Sequence, residues 1–117
     1  MSYKKIVYSP KYDEKTKILL ETNHNVFAPT ATSDFLISAV ASNIKKVDKL
    51  LDLGCGNGVV GISLFKLNKA KKIYCSDISN EAVNVCEQNI KLNDCEGKAI
   101  KSNIFSNWKR HKFDAIV

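Results

Sequence analysis

The sequence predicts an α/β fold in which strands and helices alternate around an open, doubly wound parallel sheet. Two observations support this prediction. An apolar run at residues 50–53 is followed by three glycines at alternate positions and then by an apolar helical stretch at 59–65. A second run, 72–76, ends at Asp77 and is followed by another helical pattern. Strand, helix and strand in this order indicate parallel strands joined by right-handed crossovers.

The amino-terminal segment, residues 1–28, gives the weakest signal. Residues 17–22 alternate imperfectly between apolar and polar side chains, and the Asn-His-Asn sequence at 23–25 is typical of a turn. We therefore expect an antiparallel hairpin or an irregular cap, with a helix over residues 13–21 as the alternative.

Pro29 interrupts the chain and precedes a predicted helix. Thr30, Thr32 and Ser33 are suitable N-caps, and Asp34 suits the positive end of the helix dipole. The apolar residues that follow predict a helix that packs on one face of the sheet: Phe35, Leu36, Ile37, Ala39, Val40, Ala41 and Ile44.

The glycine turn fits two ligand-binding patterns. Glycine tolerates φ > 0 and lets the backbone approach a ligand, and the next helix presents unpaired N–H groups there. Residues 56–61 fit G-x-G-x-x-G, which is typical of dinucleotide sites, whereas residues 52–58 fit D-x-G-x-G-x-G. The first pattern would place Asp52 and Gly54 inside the strand, where neither residue is favoured. The second pattern is preferred because it starts the turn directly after the strand.

Asp77 lies 19 residues beyond Gly58, at the predicted end of the second strand. An acidic residue at this spacing accepts hydrogen bonds from ribose hydroxyls, because two donors match the two oxygens of one carboxylate. Ser79 is a suitable N-cap for the next helix, which Asn93 is expected to end. The predicted buried face of that helix consists of Ala82, Val83, Cys86 and Ile90.

Two further short strands are predicted at residues 98–102, after Gly97, and at 113–117. In the fourth strand only Asp114 is polar, so this strand is expected to be buried on both faces.

Residues 52–58 resemble the cofactor loop of class I S-adenosylmethionine-dependent methyltransferases. The segments 26–36 and 77–82 are similar to those of small-domain methyltransferases that modify glutamine in release factors or exocyclic amines in RNA bases. The resemblance implies a Rossmann-like sheet whose first four strands have the order 3-2-1-4. Residues 1–28 would form a cap or hairpin over the cofactor site, and 29–117 the cofactor-binding half of the domain.

The resemblance also assigns seven residues to the S-adenosylmethionine site: Asp52, Gly54, Cys55, Gly56, Asp77, Ile78 and Asn103. Asp52 would hold the ammonium group of the cofactor, directly or through water, and Asp77 would hold the ribose. The three loop residues would form a backbone bed under the methionine and sugar, while Ile78 and Asn103 would flank the adenine. The family carries aspartate at the position of Asn103, whose amide oxygen accepts the same hydrogen bond.

The activity implied by the resemblance is methyl transfer to nitrogen, in a protein glutamine amide or an RNA base amine. The loop that holds the acceptor in these families is expected after Val117, so the chain would be a truncated domain, inactive alone. The fourth strand would then be an apolar edge that the carboxyl-terminal half or a partner chain covers. Two alternatives are an NAD-dependent oxidoreductase that uses Gly56, Gly58 and Gly61, and a non-catalytic cofactor-binding or interaction module.

Composition adds little to the functional prediction. The net charge is +6, but only one of 18 basic residues is an arginine, so nucleic-acid binding is only weakly indicated. One basic cluster follows the glycine-loop helix, and a second flanks Trp108: Lys98, Lys101, Lys109, Arg110 and Lys112.

The four cysteines lack C-x-x-C spacing, which argues against a disulfide framework or zinc site. No apolar run is long enough to span a membrane, and a cytoplasmic location is expected.

Overall fold

The structure, a computed structural model, describes residues 3–26, 28–104, 106–108 and 111–117. Six strands and three helices occur there in the order β1 (Lys4–Tyr8), β2 (Ile18–Thr22), α1 (Ala31–Asn43), β3 (Val47–Leu53), α2 (Val59–Lys66), β4 (Ala70–Asp77), α3 (Asn80–Leu92), β5 (Gly97–Lys101) and β6 (Ala115–Ile116). Lys109 and Arg110, which belong to the predicted basic cluster, lie outside the described residues. No helix in the described ranges is long and apolar enough to cross a membrane.

Four strands form the parallel sheet in the order β5-β4-β3-β6, which confirms the predicted order 3-2-1-4. Strands β3 and β4 are paired from Val47 with Ala70 to Leu53 with Ser76. Their carboxyl ends therefore lie side by side, with the glycine turn following one strand and Asp77 ending the other.

The amino-terminal segment contains an antiparallel hairpin of β1 and β2, with Lys4 opposite Thr22 and Tyr8 opposite Ile18. The hairpin prediction is confirmed, and the alternative of a helix over residues 13–21 is wrong. Alternate residues of β2 are buried, Ile18 and Leu20 completely, so the imperfect alternation in the sequence reflected a strand with one face in the core.

Adjacent residues of the sheet point into two different cores. Leu50 and Ile73 belong to the larger core, which also contains residues of all three helices and of the hairpin. Leu51 and Tyr74 belong to a smaller core on the other side with Trp108. Trp108 is 2% exposed, and its ring packs edge-on against Tyr74 at 5.6 Å between centroids. This tryptophan is a core residue, although basic residues surround it in the sequence.

Helix α1 begins where predicted but buries less of its apolar surface than expected. Thr30 is the N-cap, and Ser33 completes a capping box with it. Ile37 and Ala41 are buried, whereas Phe35 is 75% exposed. Phe35 does not point into the core with Ile37, because residues 35 and 37 point in directions about 200° apart on a helix.

Strand β6, which corresponds to the fourth predicted strand, and helix α3 also depart from the predictions. Strand β6 contains only Ala115 and Ile116, and Ile116 is 50% exposed, so burial on both faces is not observed. The reason is its place at the edge of the sheet, with no described strand beyond it. On α3 the predicted face is correct except that Val83 is only partly buried. The buried face consists of Ala82, Val85, Cys86, Asn89 and Ile90.

Candidate cofactor site

A cleft of about 440 Å³ lies at the carboxyl ends of β3 and β4. Its walls are formed by the glycine loop, by Asp52 and Asp77, and by residues around Val26 and Thr30 that precede α1. This is the edge at which parallel α/β sheets place their ligands, because the strands end there and the following helices begin.

The glycines of the loop have left-handed backbones, with φ of 65° at Gly54, 52° at Gly56 and 87° at Gly58. A Cβ added at Gly54 or Gly56 would meet no atom within 4 Å, whereas one at Gly58 would lie 2.7 Å from the Sγ of Cys86. The first two glycines therefore expose bare backbone to the cleft, and the third allows α3 to pack against the start of α2.

Hydrogen bonds hold the loop in this shape. The Cys55 N–H donates to the Ser76 carbonyl at 2.9 Å, which fixes the loop to β4. The Val59 N–H at the start of α2 donates to the Asn57 Oδ1 at 2.9 Å. Because the N-cap of α2 is Gly58, which has no side chain, Asn57 supplies the acceptor that a serine or aspartate N-cap would provide. No pattern in the sequence predicted this role of Asn57.

Asp77, the last residue of β4, is hydrogen-bonded to the glycine loop. One of its oxygens accepts the Gly56 N–H at 3.1 Å, and the other accepts the Ser79 N–H at 3.0 Å. Each oxygen of an ionised carboxylate has two lone pairs, so both retain acceptor capacity towards the cleft. The arrangement fits a pair of neighbouring hydroxyl groups.

Asp52 is buried beneath the loop with 4% exposure, and its Oδ2 accepts the Gly61 N–H of α2 at 3.0 Å. Burial above all, together with the neighbouring Cys55 and Asp77, raises the pKa of this carboxyl to about 8, against the opposing effect of the Gly61 hydrogen bond. A buried carboxyl with no cation beside it prefers the protonated form. A positively charged group in the cleft would favour the ionised form.

A second cleft of about 330 Å³ adjoins the first and shares Gly54 and Asp77 with it. Ile78, which is 67% exposed, and Asn103 line it together with Ile104. Ile104 has a φ of 54°, which is rare for a β-branched residue and holds the segment after β5 in a sharp bend. Nothing in the sequence around Ile104 signalled this backbone.

The two clefts bring together all seven residues that the sequence analysis singled out. The first is lined by Asp52, Gly54, Cys55, Gly56 and Asp77, and the second by Gly54, Asp77, Ile78 and Asn103. The thiol of Cys55 also interacts with those of Cys75 and Cys86. Hydrogen bonds with Cys55 and Cys86, together with burial, raise the pKa of Cys75. Among the described residues, no group of histidine, cysteine and acidic side chains is arranged to hold a metal ion.

This chain is similar to part of several longer methyltransferases. A ribosomal protein L11 methyltransferase from Thermoanaerobacter pseudethanolicus is 31% identical over 97% of this chain and 39% of its own length. A release factor glutamine methyltransferase from Lactococcus lactis is 29% identical over 94% of this chain and 41% of its own length. The structure of M. capricolum TrmK with S-adenosyl-homocysteine superposes with a TM-score of 0.61 at 25% identity, over 68% of this chain and 36% of that one.

The chain therefore spans about two fifths of the length of the two curated relatives. The family model for the methyltransferase small domain matches residues 11–117, which include the hairpin strand β2, the glycine loop and every residue of both clefts. The chain belongs to the methyltransferase small domain family.

Proposed function

We propose that this chain is the S-adenosylmethionine-binding part of a methyltransferase that acts on nitrogen. The proposal rests on the cleft over the glycine loop, where open space in front of Gly54 and Gly56 lies between two carboxyl groups. Asp52 and Asp77 lie at the ends of adjacent strands and match the two kinds of polar group that the cofactor offers, an ammonium and a ribose diol.

The residues that line the two adjoining clefts support this assignment. Asp77 borders both, so a ribose held by Asp77 would direct the base into the smaller cleft and the amino acid into the larger one. In the smaller cleft the exposed side chain of Ile78 offers an apolar surface to a purine, and the Asn103 amide offers a hydrogen-bonding edge. Asp52 lies under the larger cleft, where the ammonium would be.

The bound cofactor supplies an activated methyl group on a sulfonium, which is a good leaving group. The contribution of this chain is to hold that group in a fixed orientation, so that an acceptor nitrogen approaches it in line. Gly54 and Gly56 keep side chains out of the way, and their left-handed backbones turn the loop beneath the ligand. No proton transfer by Asp52 or Asp77 is needed for this role.

A protein glutamine amide or an RNA base amine is the proposed acceptor. The relatives include a release factor glutamine methyltransferase and ribosomal RNA methyltransferases, which supports both substrate classes. The acceptor loop is proposed to follow Val117, because β6 lies beside β3 and directs the chain towards the cleft, which Val117 lines. A carboxyl-terminal half or a partner chain would cover the edge formed by β6.

The chain is expected to bind S-adenosylhomocysteine and not NAD. The turn begins at Gly54, directly after β3, whereas a dinucleotide pattern would begin the turn at Gly56. Calorimetric titration of the same preparation with both compounds tests the assignment. Binding of NAD alone would contradict it.

Asp77→Ala should weaken S-adenosylhomocysteine binding by about 1–3 kcal/mol, the usual cost of losing hydrogen bonds to a charged acceptor. The variant also frees the Gly56 N–H, so the ribose contact and the loop contact are lost together. Asp48→Ala is the matched control, because it removes the same charge from an exposed residue far from both clefts. Equal affinity of Asp77→Ala and wild type in calorimetry would show that Asp77 does not hold the ribose.

Residues 1–117 are expected to bind the cofactor without transferring its methyl group, since the acceptor loop is proposed to lie after Val117. Transfer of a radioactive methyl group to protein and RNA fractions should appear only with a carboxyl-terminal extension. Acid hydrolysis should release labelled methylamine if the acceptor is a glutamine amide, because the amide bond is cleaved, and should yield an N-methylated base if the acceptor is RNA. Label on carbon, or transfer by residues 1–117 alone, would count against the proposal.

A further inference from the structure

The outer edge of the amino-terminal hairpin is paired by side chains instead of by another strand. Every second residue of β2 directs its N–H and carbonyl groups towards β1. The backbone groups of Leu19 and Glu21 point in the opposite direction, towards α3. Two asparagines of α3, Asn89 and Asn93, meet these groups. Their spacing of four residues on a helix is about 6 Å, close to the rise of two residues in a strand.

Each asparagine amide bonds one residue of β2 through both of its polar atoms. The Leu19 N–H donates to the Asn93 Oδ1 at 2.9 Å, and the Asn93 Nδ2 donates back to the Leu19 carbonyl at 2.7 Å. The Glu21 N–H donates to the Asn89 Oδ1 at 2.7 Å, and the Asn89 Nδ2 donates back to the Glu21 carbonyl at 3.0 Å. The two amides therefore make equivalent clamps on the hairpin.

The two asparagines differ in the acceptor of the second N–H on their side-chain amide. The Asn93 Nδ2 donates to the Asn89 carbonyl one turn earlier in the same helix, at 2.7 Å. The Asn89 Nδ2 donates instead to the Asn57 carbonyl in the glycine loop, at 2.8 Å. Asn89 is fully buried, so its three bonds leave no unused donor on the amide.

We propose that Asn89 is a positioning residue for the cofactor loop and couples the loop to the amino-terminal hairpin; this rests on the proposed function of the loop. The Asn57 carbonyl belongs to the peptide that leads into Gly58, whose left-handed backbone starts α2. Holding that carbonyl fixes the peptide between Gly56, which faces the cleft, and the Val59 N–H, which Asn57 caps. The buried amide thus holds three elements together: β2, α3 and the loop.

The first test uses the wild-type chain and amide hydrogen exchange with and without S-adenosylhomocysteine. Coupling between two sites is reciprocal, so a ligand that orders the loop should also order the residue that Asn89 clamps. The protection of the Glu21 N–H should rise more than that of the Leu19 N–H, by about threefold or more. Equal increases at both amides, or no increase at either, would overturn the proposal.

The second test compares Asn89→Ala with Asn93→Ala by calorimetric titration at a temperature where both are folded. Both variants lose one clamp on β2, and only Asn89→Ala loses the loop bond. The dissociation constant for S-adenosylhomocysteine should rise about tenfold in Asn89→Ala, and less than about threefold in Asn93→Ala. Equal affinities in the two variants would mean that the amides are only structural.

A variant of the hairpin provides the same comparison if Asn89→Ala does not fold. Glu21→Pro removes the N–H that bonds to Asn89, and Leu19→Pro removes the one that bonds to Asn93. Glu21→Pro should weaken binding more than Leu19→Pro does, and the opposite order or equal values would refute the coupling. Failure of the proposed function is distinguished by the wild-type chain, which would then bind no S-adenosylhomocysteine at all.

Discussion

Gly58→Ala should lower the free energy of unfolding by about 2–5 kcal/mol, from a strained backbone and an overpacked core. A φ of 87° is unfavourable for a residue with a Cβ, and the added methyl would lie 2.7 Å from the Sγ of Cys86 and 3.1 Å from the Cδ1 of Ile62. Cys86 and Ile62 are fully buried, so neither side chain can move into solvent. Denaturant unfolding of the variant and the wild type measures the loss.

Gly54→Ala is the matched control, because its φ is also left-handed but its Cβ would meet no atom within 4 Å. It should cost only about 1–2 kcal/mol of stability, the backbone contribution alone. Its methyl group would project into the cleft, so S-adenosylhomocysteine binding should weaken by about tenfold or more even though the chain folds. The two glycines thereby separate a role in packing from a role in binding.

A double variant tests the clash itself. In Gly58→Ala/Cys86→Ala the Sγ atom is absent, and the remaining Cβ of residue 86 lies 3.7 Å from the new methyl group, an ordinary contact. A double-mutant cycle should show a favourable coupling of about 1–2 kcal/mol between the two substitutions. No coupling, or equal losses of stability in Gly58→Ala and Gly54→Ala, would contradict the packing role of Gly58.

The alternation of parallel strands and helices and the position of the glycine loop were predictable because local signals determine them, whereas the strand order followed from the family resemblance. A strand that ends at Leu53 and glycines at alternate positions leave the chain few conformations, and the spacing to Asp77 depends on one βαβ unit of standard length. The seven proposed site residues lie at strand ends or in the loop, so a prediction of the sheet also placed them beside one another.

The role of Asn89 was not predictable from periodicity. A polar residue on the apolar face of α3 weakens a hydrophobic pattern, and its three bonds are made to groups 32 and 68 residues away in the chain. Only the packing of the hairpin on α3 brings these groups together. The same limit explains Phe35 and Ile116, since an apolar pattern does not show which element covers a side chain.

Asp52→Asn should stabilise the free protein at neutral pH. The ordinary pKa of the carboxyl is 3.8, which applies to the unfolded chain, and burial raises the pKa to about 8 in the folded protein. Between these pH values the unfolded chain holds fewer protons than the folded protein, so the stability of the wild type falls as pH rises from about 4 to about 8, by up to roughly 1.4 kcal/mol per pH unit.

Asparagine at position 52 has no such pH dependence and can still accept the Gly61 N–H through its Oδ1. The stability gain should be about 2–4 kcal/mol at pH 7 and disappear near pH 4, as measured by denaturant unfolding at both values.

The same substitution should weaken cofactor binding and remove its pH dependence. An ammonium beside Asp52 favours the ionised carboxyl, so its pKa in the complex falls below about 8 and binding releases a proton. The affinity of the wild type for S-adenosylhomocysteine should therefore rise with pH between about 6 and 8, by up to tenfold per unit, and level off above. Asp52→Asn lacks the titrating group, so its affinity for S-adenosylhomocysteine should be lower and should not change with pH.

The control ligand is 5′-methylthioadenosine, which has the base and sugar but no ammonium. Both proteins should bind it with equal, pH-independent affinity. A wild-type profile that is flat for S-adenosylhomocysteine, or equally steep for both ligands, would show that Asp52 does not face the ammonium.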